Sequence, residues 1–302
     1  MDLKSKIILI SGPTASGKSK FAVKLAKKIN GEIINADSMQ VYKEIKILTA
    51  RPKKKDQNKI KHHLYGFLSV KKNFSTGQWL KLASKKIKEI KKKNKVPILV
   101  GGTGLYFKSI TEGLVKIPNI PLILRNKIRN LHKKLGQDEF YKKLIKLDPL
   151  VKNKINSKDV QRSIRAYEVK KYSKISLIEW FKKTDKKFKD SDLMKIYIEF
   201  PRSDLIKIIN NRVDKMFREG VLNEVKKFIK LKIKKDKSSN KVIGINEIQK
   251  YFRKEQDLSL TKELIRIKTR QYAKRQSTWS RGHMFSWQKI DHKNLDSFLK
   301  KI

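Results

Sequence analysis

Residues 12–19 read GPTASGKS, a glycine, a four-residue spacer, then glycine, lysine and serine. This spacing wraps a phosphate group in main-chain N–H donors. Gly12 and Gly17 permit the tight turn, and Pro13, Thr14, Ala15 and Ser16 form the wall between them. Lys18 reaches the terminal phosphate, and Ser19 supplies a hydroxyl for Mg²⁺. The motif binds a diphosphate group and does not by itself specify ATP. Phosphoryl transfer also uses a carboxylate at the end of a hydrophobic strand to hold the metal. The best such run, PILV at 97–100, ends instead in Gly101, Gly102 and Thr103. The acid in the nearest setting is Asp37, within NADSMQVYKEI at 35–45. A lone Asp after a strand can cap a helix, and Ser38 could share that role. Gln40 and Tyr42 beside it suit recognition of a base edge. At this level a small-molecule kinase stays open as the alternative.

These groups need a scaffold that brings them to one edge. KIILIS at 6–11, EIINA at 32–36 and VPILVGG at 96–102 read as buried strands, with helices over 17–29 and 77–93 between them. That β-α-β alternation predicts a parallel sheet covered by helices, with phosphate ligands at the carboxyl ends of its strands. After residue 115 the pattern becomes helical and strongly basic to about 190. KIYIEF at 195–200 returns as a strand. Helices follow over 203–218, 221–234, 246–253 and 260–280, with a loop at 236–240 and a last strand within 284–290. The expected fold is therefore α/β: a P-loop nucleotide-binding-like parallel sheet core from 1–115 and 193–302, interrupted by a basic helical insertion domain over 116–192.

The 302 residues carry 76 Lys+Arg against 28 Asp+Glu, a formal charge of +48. Such a surface attracts polyanions, nucleic acid foremost. Its excess of lysine, with isoleucine and asparagine, can also arise from coding bias. Lysine triplets at 53–55 and 91–93 read as solvated faces. The absence of cysteine excludes disulfides and thiolate zinc sites and is compatible with a reducing cytoplasm. No apolar run has the length of a membrane span, so a cytoplasmic monomer that does not engage membranes is expected. His62 and His63 are adjacent, so their side chains do not converge on one ion; a loop role is expected for them.

Read in order, the motifs GPTASGKS, NADSMQVYK (35–43), TARP (49–52), HHL (62–64), VGGTGLYFK (100–108), DVQRSIRAYEV (159–169), NRVDKMFREG (211–220) and KTRQYAKRQSTWSRG (268–282) resemble the tRNA dimethylallyltransferases, or isopentenyltransferases, of bacterial type. The resemblance covers nearly the whole chain. It implies transfer of a dimethylallyl group from dimethylallyl diphosphate to N6 of the adenosine immediately 3′ of the tRNA anticodon, with Mg²⁺ as cofactor and pyrophosphate as product. It implies Asp37 as general base, with Thr103 and Arg212 near the reacting groups. It also implies contacts to the anticodon stem-loop by Asp37, Ser38, Met39, Gln40, Thr103 and Arg125. The same RNA surface would take in Gln161, Arg162, Ser163, Ile164 and Arg165, then Lys274, Arg275, Gln276, Trp279 and Arg281. Two departures stand out. Leu48 precedes TARP where the family usually has glycine, and Gly244 is followed by Ile245 and Asn246 rather than an aromatic and a basic residue.

Overall fold

The computed structural model describes residues 3–53, 57 and 60–302. Lys54 and Lys55 of the first lysine triplet lie outside the described residues. The chain forms two compact units, one of residues up to Thr111 together with Phe188–Ile302, the other Glu112–Lys187. In chain order the first unit contains β1 (Ile7–Ser11), α1 (Lys18–Lys28), β2 (Gly31–Asn35), β3 (His62–His63), α2 (Thr76–Lys91), β4 (Val96–Gly101) and α3 (Gly104–Thr111). The second unit contributes α4 (Leu122–Leu147), α5 (Val160–Ser173) and α6 (Leu177–Lys182). The first unit then resumes with β5 (Leu193–Glu199), α7 (Arg202–Arg218), α8 (Val221–Lys230), α9 (Ile245–Phe252), α10 (Leu258–His283), β6 (Gln288–Asp291) and α11 (Leu295–Lys301).

The six strands make one parallel sheet in the order β3-β2-β4-β1-β5-β6. The central strands β1, β2 and β4 are rich in apolar residues and buried along their length, as a sheet covered on both faces requires. Ile8, Ile10, Ile33, Ile98, Ile196 and Ile198 pack with Phe21 and Leu25 of α1. A second apolar cluster joins Val41 and Tyr42 to Val213 of α7, Val225 and Phe228 of α8, Ile248 of α9 and Ile265 of α10. Within the second unit Leu144, Val151, Ala166, Val169 and Leu177 form a separate core. There α4 is broken at Gly136, whose φ of 74° takes it out of the helical region.

Strand register sets the working edge. Ser11 pairs with Gly101 and Asn35 with Val100, so β1, β2 and β4 reach their carboxyl ends side by side. From β1 the chain runs to β2 on one flank of the sheet, while the next strand after β4 in the chain, β5, lies on the other flank beyond β1. The crevice between β1 and β4 is thus the topological switch point where such sheets bind ligands. The approach is close: a Cβ on Gly101 would stand 2.0 Å from the carbonyl oxygen of Ala36.

Several short elements depart from expectation. His62 and His63 do not form a loop but a two-residue edge strand, pairing with Ile33 and Ile34. His63 Nε2 lies 2.7 Å from the buried Glu32 carboxylate, which Lys95 also meets at 3.1 Å. Burial raises the Glu32 pKa, but the hydrogen bonds from His63 and Lys95 outweigh it and leave it lowered. The final strand is shorter than 284–290 because α10 continues to His283. Met284 then closes the helix through a 2.8 Å bond from its N–H to Ser280 O. Helices α3 and α11 were not expected.

Trp79 of α2 anchors the edge from beneath. It is fully buried, its indole donates to Asn35 O at 2.8 Å, and its ring stacks on Tyr106 with centroids 4.1 Å apart. Trp79→Ala leaves a cavity and an unpaired carbonyl two residues before Asp37. A loss of about 3–5 kcal/mol is expected in urea denaturation followed by circular dichroism.

Candidate active site

The segment after β2 is held by its own polar groups. Asn35 Oδ1 accepts from Asp37 N at 2.9 Å, while its amide donates to Asp37 O and Leu64 O. Asp37 Oδ1 in turn accepts from Met39 N at 2.9 Å. Thr103 locks this turn to the one after β4: its N–H donates to Ala36 O, and its hydroxyl accepts from Ser38 N at 2.9 Å and meets the Ser38 hydroxyl at 3.2 Å. Asp37 is thereby aimed by three segments rather than free on a loop.

Beside it lies a cavity of about 420 Å³. Thr14, Ala15, Gly17, Lys18 and Ser19 line it from the phosphate loop, with Asp37, Tyr65, Arg212 and Arg275 around them. Ala15 and Gly17 adopt left-handed φ values of 68° and 79°, which turn the loop around the space. Gly12 lines a neighbouring cavity instead, Pro13 O accepts from Lys18 Nζ at 2.7 Å, and Ser16 is buried behind the wall. Arg212 donates through Nη1 to Thr14 Oγ1 at 2.9 Å, and its buried Nε has no partner. Burial lowers the Lys18 pKa to about 8; Asp37 opposes this and Arg212 adds to it. Burial likewise lowers Arg212, again against Asp37. Asp37 is the one carboxylate among the described residues lining this cavity. The cavity thus offers the cationic Lys18, Arg212 and Arg275 for an oxyanion and one carboxylate to accept a proton.

A second cavity, of about 270 Å³, shares Met39, Tyr272 and Arg275 with the first and adds Ser38, Thr103, Gln276 and Trp279. Helix α10 supplies its wall: Tyr272, Gln276 and Trp279 recur at helical spacing on one face. That face fits the glycines after β4. A Cβ on Gly102 would meet Gln276 Nε2 at 2.1 Å, and one on Gly104 would meet the Trp279 ring at 2.3 Å. Gln276 uses its amide inside the protein, accepting from Thr14 N at 2.7 Å and donating to Gly102 O at 2.9 Å. It clasps the phosphate loop to the glycine turn, which the basic run KRQSTWSR did not reveal. Gln40 is similarly occupied, donating to Thr49 O at 2.9 Å. Lys274, Arg275 and Arg281 are exposed, and Trp279 stacks on His283 with centroids 4.3 Å apart.

In the second unit, three arginines gather on one buried acid. Arg165 Nη1 lies 3.4 Å, Arg125 Nε 3.6 Å and Arg129 Nε 3.7 Å from the Glu168 carboxylate. Arg129 was missed by the motif reading. Gln161 and Arg162 are exposed at the start of α5, and Ile164 is half-buried. Ser163 is a correction: it is fully buried, on the inward face with Ala166 and Val169, and its hydroxyl meets Gln137 Nε2 at 3.2 Å. Its side chain is not part of an outer contact surface. Among the described residues no group of three or more His, Asp or Glu side chains could hold a metal ion.

The family model described as IPP transferase matches residues 40–283. The chain belongs to the IPP transferase family. It is 62% identical to the tRNA dimethylallyltransferase of Pelagibacter ubique across all of this chain and 96% of that one. It is 44% identical to that of Rickettsia massiliae over 99% of this chain and 83% of the relative. The solved structure of the full-length tRNA isopentenylpyrophosphate transferase from Bacillus halodurans superposes with a TM-score of 0.70 at 31% identity, covering 98% of this chain and 95% of that one. A eukaryotic dimethylallyltransferase solved acting on tRNA reaches a TM-score of 0.84 at 28% identity, over 95% of this chain and 74% of that one. The expected α/β fold with its parallel sheet is the fold of these IPP transferase structures.

Within this IPP transferase fold the Gln276 clasp makes a direct prediction. Gln276→Ala removes the bonds to the part-buried Thr14 N and Gly102 O, at about 0.5–1.5 kcal/mol for each. Thermal denaturation is expected to show a lower melting temperature, and steady-state kinetics a lower kcat as the loop and the turn lose their register.

Proposed function

We infer that this protein is a tRNA dimethylallyltransferase. It moves the dimethylallyl group of dimethylallyl diphosphate to N6 of the adenosine immediately 3′ of the tRNA anticodon and releases pyrophosphate. The observation that carries the reading is the pairing of two cavities that share Met39, Tyr272 and Arg275, one lined by the phosphate loop and Asp37, the other by Ser38, Thr103 and Trp279. A diphosphate suits the first, and an unstacked purine suits the second, where an indole and small polar groups face it. We assign the substrate to tRNA rather than to a free nucleotide because exposed Lys274, Arg275 and Arg281 on α10, and the arginines of the second unit, suit an RNA backbone. The enzyme is proposed to act as a monomer in the cytoplasm. Among the described residues no helix is long and apolar enough to cross a membrane.

The chemistry follows from the residues. Adenine N6 is a weak nucleophile whose lone pair is delocalised into the ring. As its bond to the allyl C1 forms, the bond from C1 to the diphosphate oxygen breaks, and N6 gives up a proton. Asp37 receives that proton. Lys18, the loop N–H groups and Arg212 stabilise the charge growing on the departing oxygen, already aligned before the bond breaks. Thr103 holds the turn that aims Asp37. Mg²⁺ fits the donor set: Ser19 lines the cavity, and this ion binds through one or two protein groups plus phosphate oxygens rather than through an all-protein cage. When bound it would supply further charge neutralisation on the diphosphate. A kinase reading is disfavoured because β4 ends in Gly101, Gly102 and Thr103 rather than in a metal-holding carboxylate.

Two measurements test this. With labelled dimethylallyl diphosphate and an anticodon stem-loop, label enters RNA carrying adenosine at the target site and not RNA carrying inosine there. Asp37→Asn lowers kcat by about 10²–10⁴-fold; unchanged turnover would overturn the base assignment. The pH dependence is set by Lys18, whose pKa of about 8 is below the usual lysine value. Below that pH the ammonium is charged and ready for the diphosphate; above it, binding must first protonate the amine. So kcat/KM for dimethylallyl diphosphate falls as pH rises beyond this point, approaching about tenfold per pH unit. Lys18→Arg, charged throughout, flattens that limb.

A further inference from the structure

The first cavity has two chemically different ends. One is the cationic loop just described. The other is a wall of Met39, Leu48, Val213, Met216, Val242 and Ile265. An allyl diphosphate has the same polarity, with an anionic head and a short apolar tail. Leu48 is held firmly within that wall. The carboxylate of Glu224 on α8 accepts from three successive N–H groups, those of Lys46 at 2.7 Å, Ile47 at 2.8 Å and Leu48 at 3.0 Å. The next residue is tied as well, through Thr49 O and Gln40. The Leu48 side chain is wedged from behind. A Cβ on Gly244 would stand 2.4 Å from Leu48 Cδ2 and 3.7 Å from Ile265 Cδ1. Gly244 has a φ of 103°, so a larger residue is strained there whatever the space. With its main chain pinned and its side chain backed by Gly244, Leu48 cannot swing aside for a longer tail.

We propose that Leu48 is a chain-length determinant: it closes the apolar end so that the site accepts the five-carbon allyl diphosphate and rejects its ten-carbon homologue. This rests on reading the cavity as the prenyl diphosphate site. A longer tail carries one further isoprene unit that would have to enter a close-packed wall, and well-packed interiors resist added carbons. Rejection by steric fit of this kind changes selectivity by roughly tenfold or more. Leu48→Ala removes the three terminal carbons of the side chain at the point where the extra unit would go. Leu48→Val and Ile265→Val remove less from the same end.

The test compares kcat/KM for dimethylallyl and geranyl diphosphates, with the anticodon stem-loop as acceptor. The wild type is expected to favour the shorter donor, and Leu48→Ala to raise the geranyl-to-dimethylallyl ratio by at least about tenfold. Leu48→Val and Ile265→Val are expected to shift it in the same direction by less, and they carry the test if Leu48→Ala does not fold. Folded variants that transfer dimethylallyl groups at the wild-type ratio overturn the proposal. So does a rise in KM for the RNA with the donor ratio fixed, since that would put the base rather than the tail against Leu48. A wild type that transfers no dimethylallyl group to RNA instead overturns the functional reading itself.

Discussion

Gly101 has no side chain, and the aim of Asp37 depends on that. At the end of β4 the carbonyl of Ala36 occupies space that any Cβ on Gly101 would need. This contact lets the turn after β2 lie against the turn after β4, where Thr103 can bond both Ala36 O and Ser38 N. The register of Ser11 with Gly101 brings the phosphate loop to the same place. Gln276 then bridges that loop to Gly102 from above. Three chain segments and one helix are thereby fixed to each other by a few main-chain groups. A proton acceptor and a diphosphate cradle can hold sub-ångström relations only when supported in this way.

The electrostatics are incomplete without an anion. Lys18 and Arg212 are both pulled below their ordinary pKa values by burial, and Asp37 answers only part of their charge. Lys18 bonds its own loop carbonyl, and the Arg212 Nε donor is buried without a partner. On the proposed reading a diphosphate answers these conditions, offering Lys18 and Arg212 anionic acceptors in place of a neutral carbonyl or none. The same surplus answers the charge that grows as the leaving group departs. The cavity is therefore closer in charge to the transition state than to its own empty form.

The strands, the phosphate loop and the long helix α10 were legible because each has a strong period or a fixed spacing. What escaped is short or assembled from distant parts. A two-residue strand such as β3 has no period to detect, and α3 begins on a glycine that reads as a turn. Ser163 enters the RNA surface with the whole QRSIR stretch, by resemblance rather than from its own position on the helix. Its spacing to Ala166 and Val169 was the better signal, since residues three apart share a helix face. Gln276 enters the RNA surface by the same resemblance, and only the proximity of Thr14 and Gly102 shows its amide to be occupied. Leu48, Tyr65, Met216 and Ile265 line one cavity although they come from four different segments. No local pattern announces such a convergence.

A loop that wraps nucleotide phosphates serves here beside a different kind of chemistry, and the end of β4 shows how. Where phosphoryl transfer holds its metal with a carboxylate, this sheet has Gly101 and Gly102, small enough for Ala36 and Gln276 to approach. That substitution exchanges a metal ligand for room. The space admits the Asp37 turn on one side and the α10 face on the other, which on the proposed reading leaves the nearest acid to the acceptor rather than to the phosphate. Bond breaking then falls at the carbon–oxygen link rather than at phosphorus. On the proposed reading the loop has only to grip both phosphates as a unit and let them leave together, a task that suits Lys18 and Arg212 beside the phosphate loop.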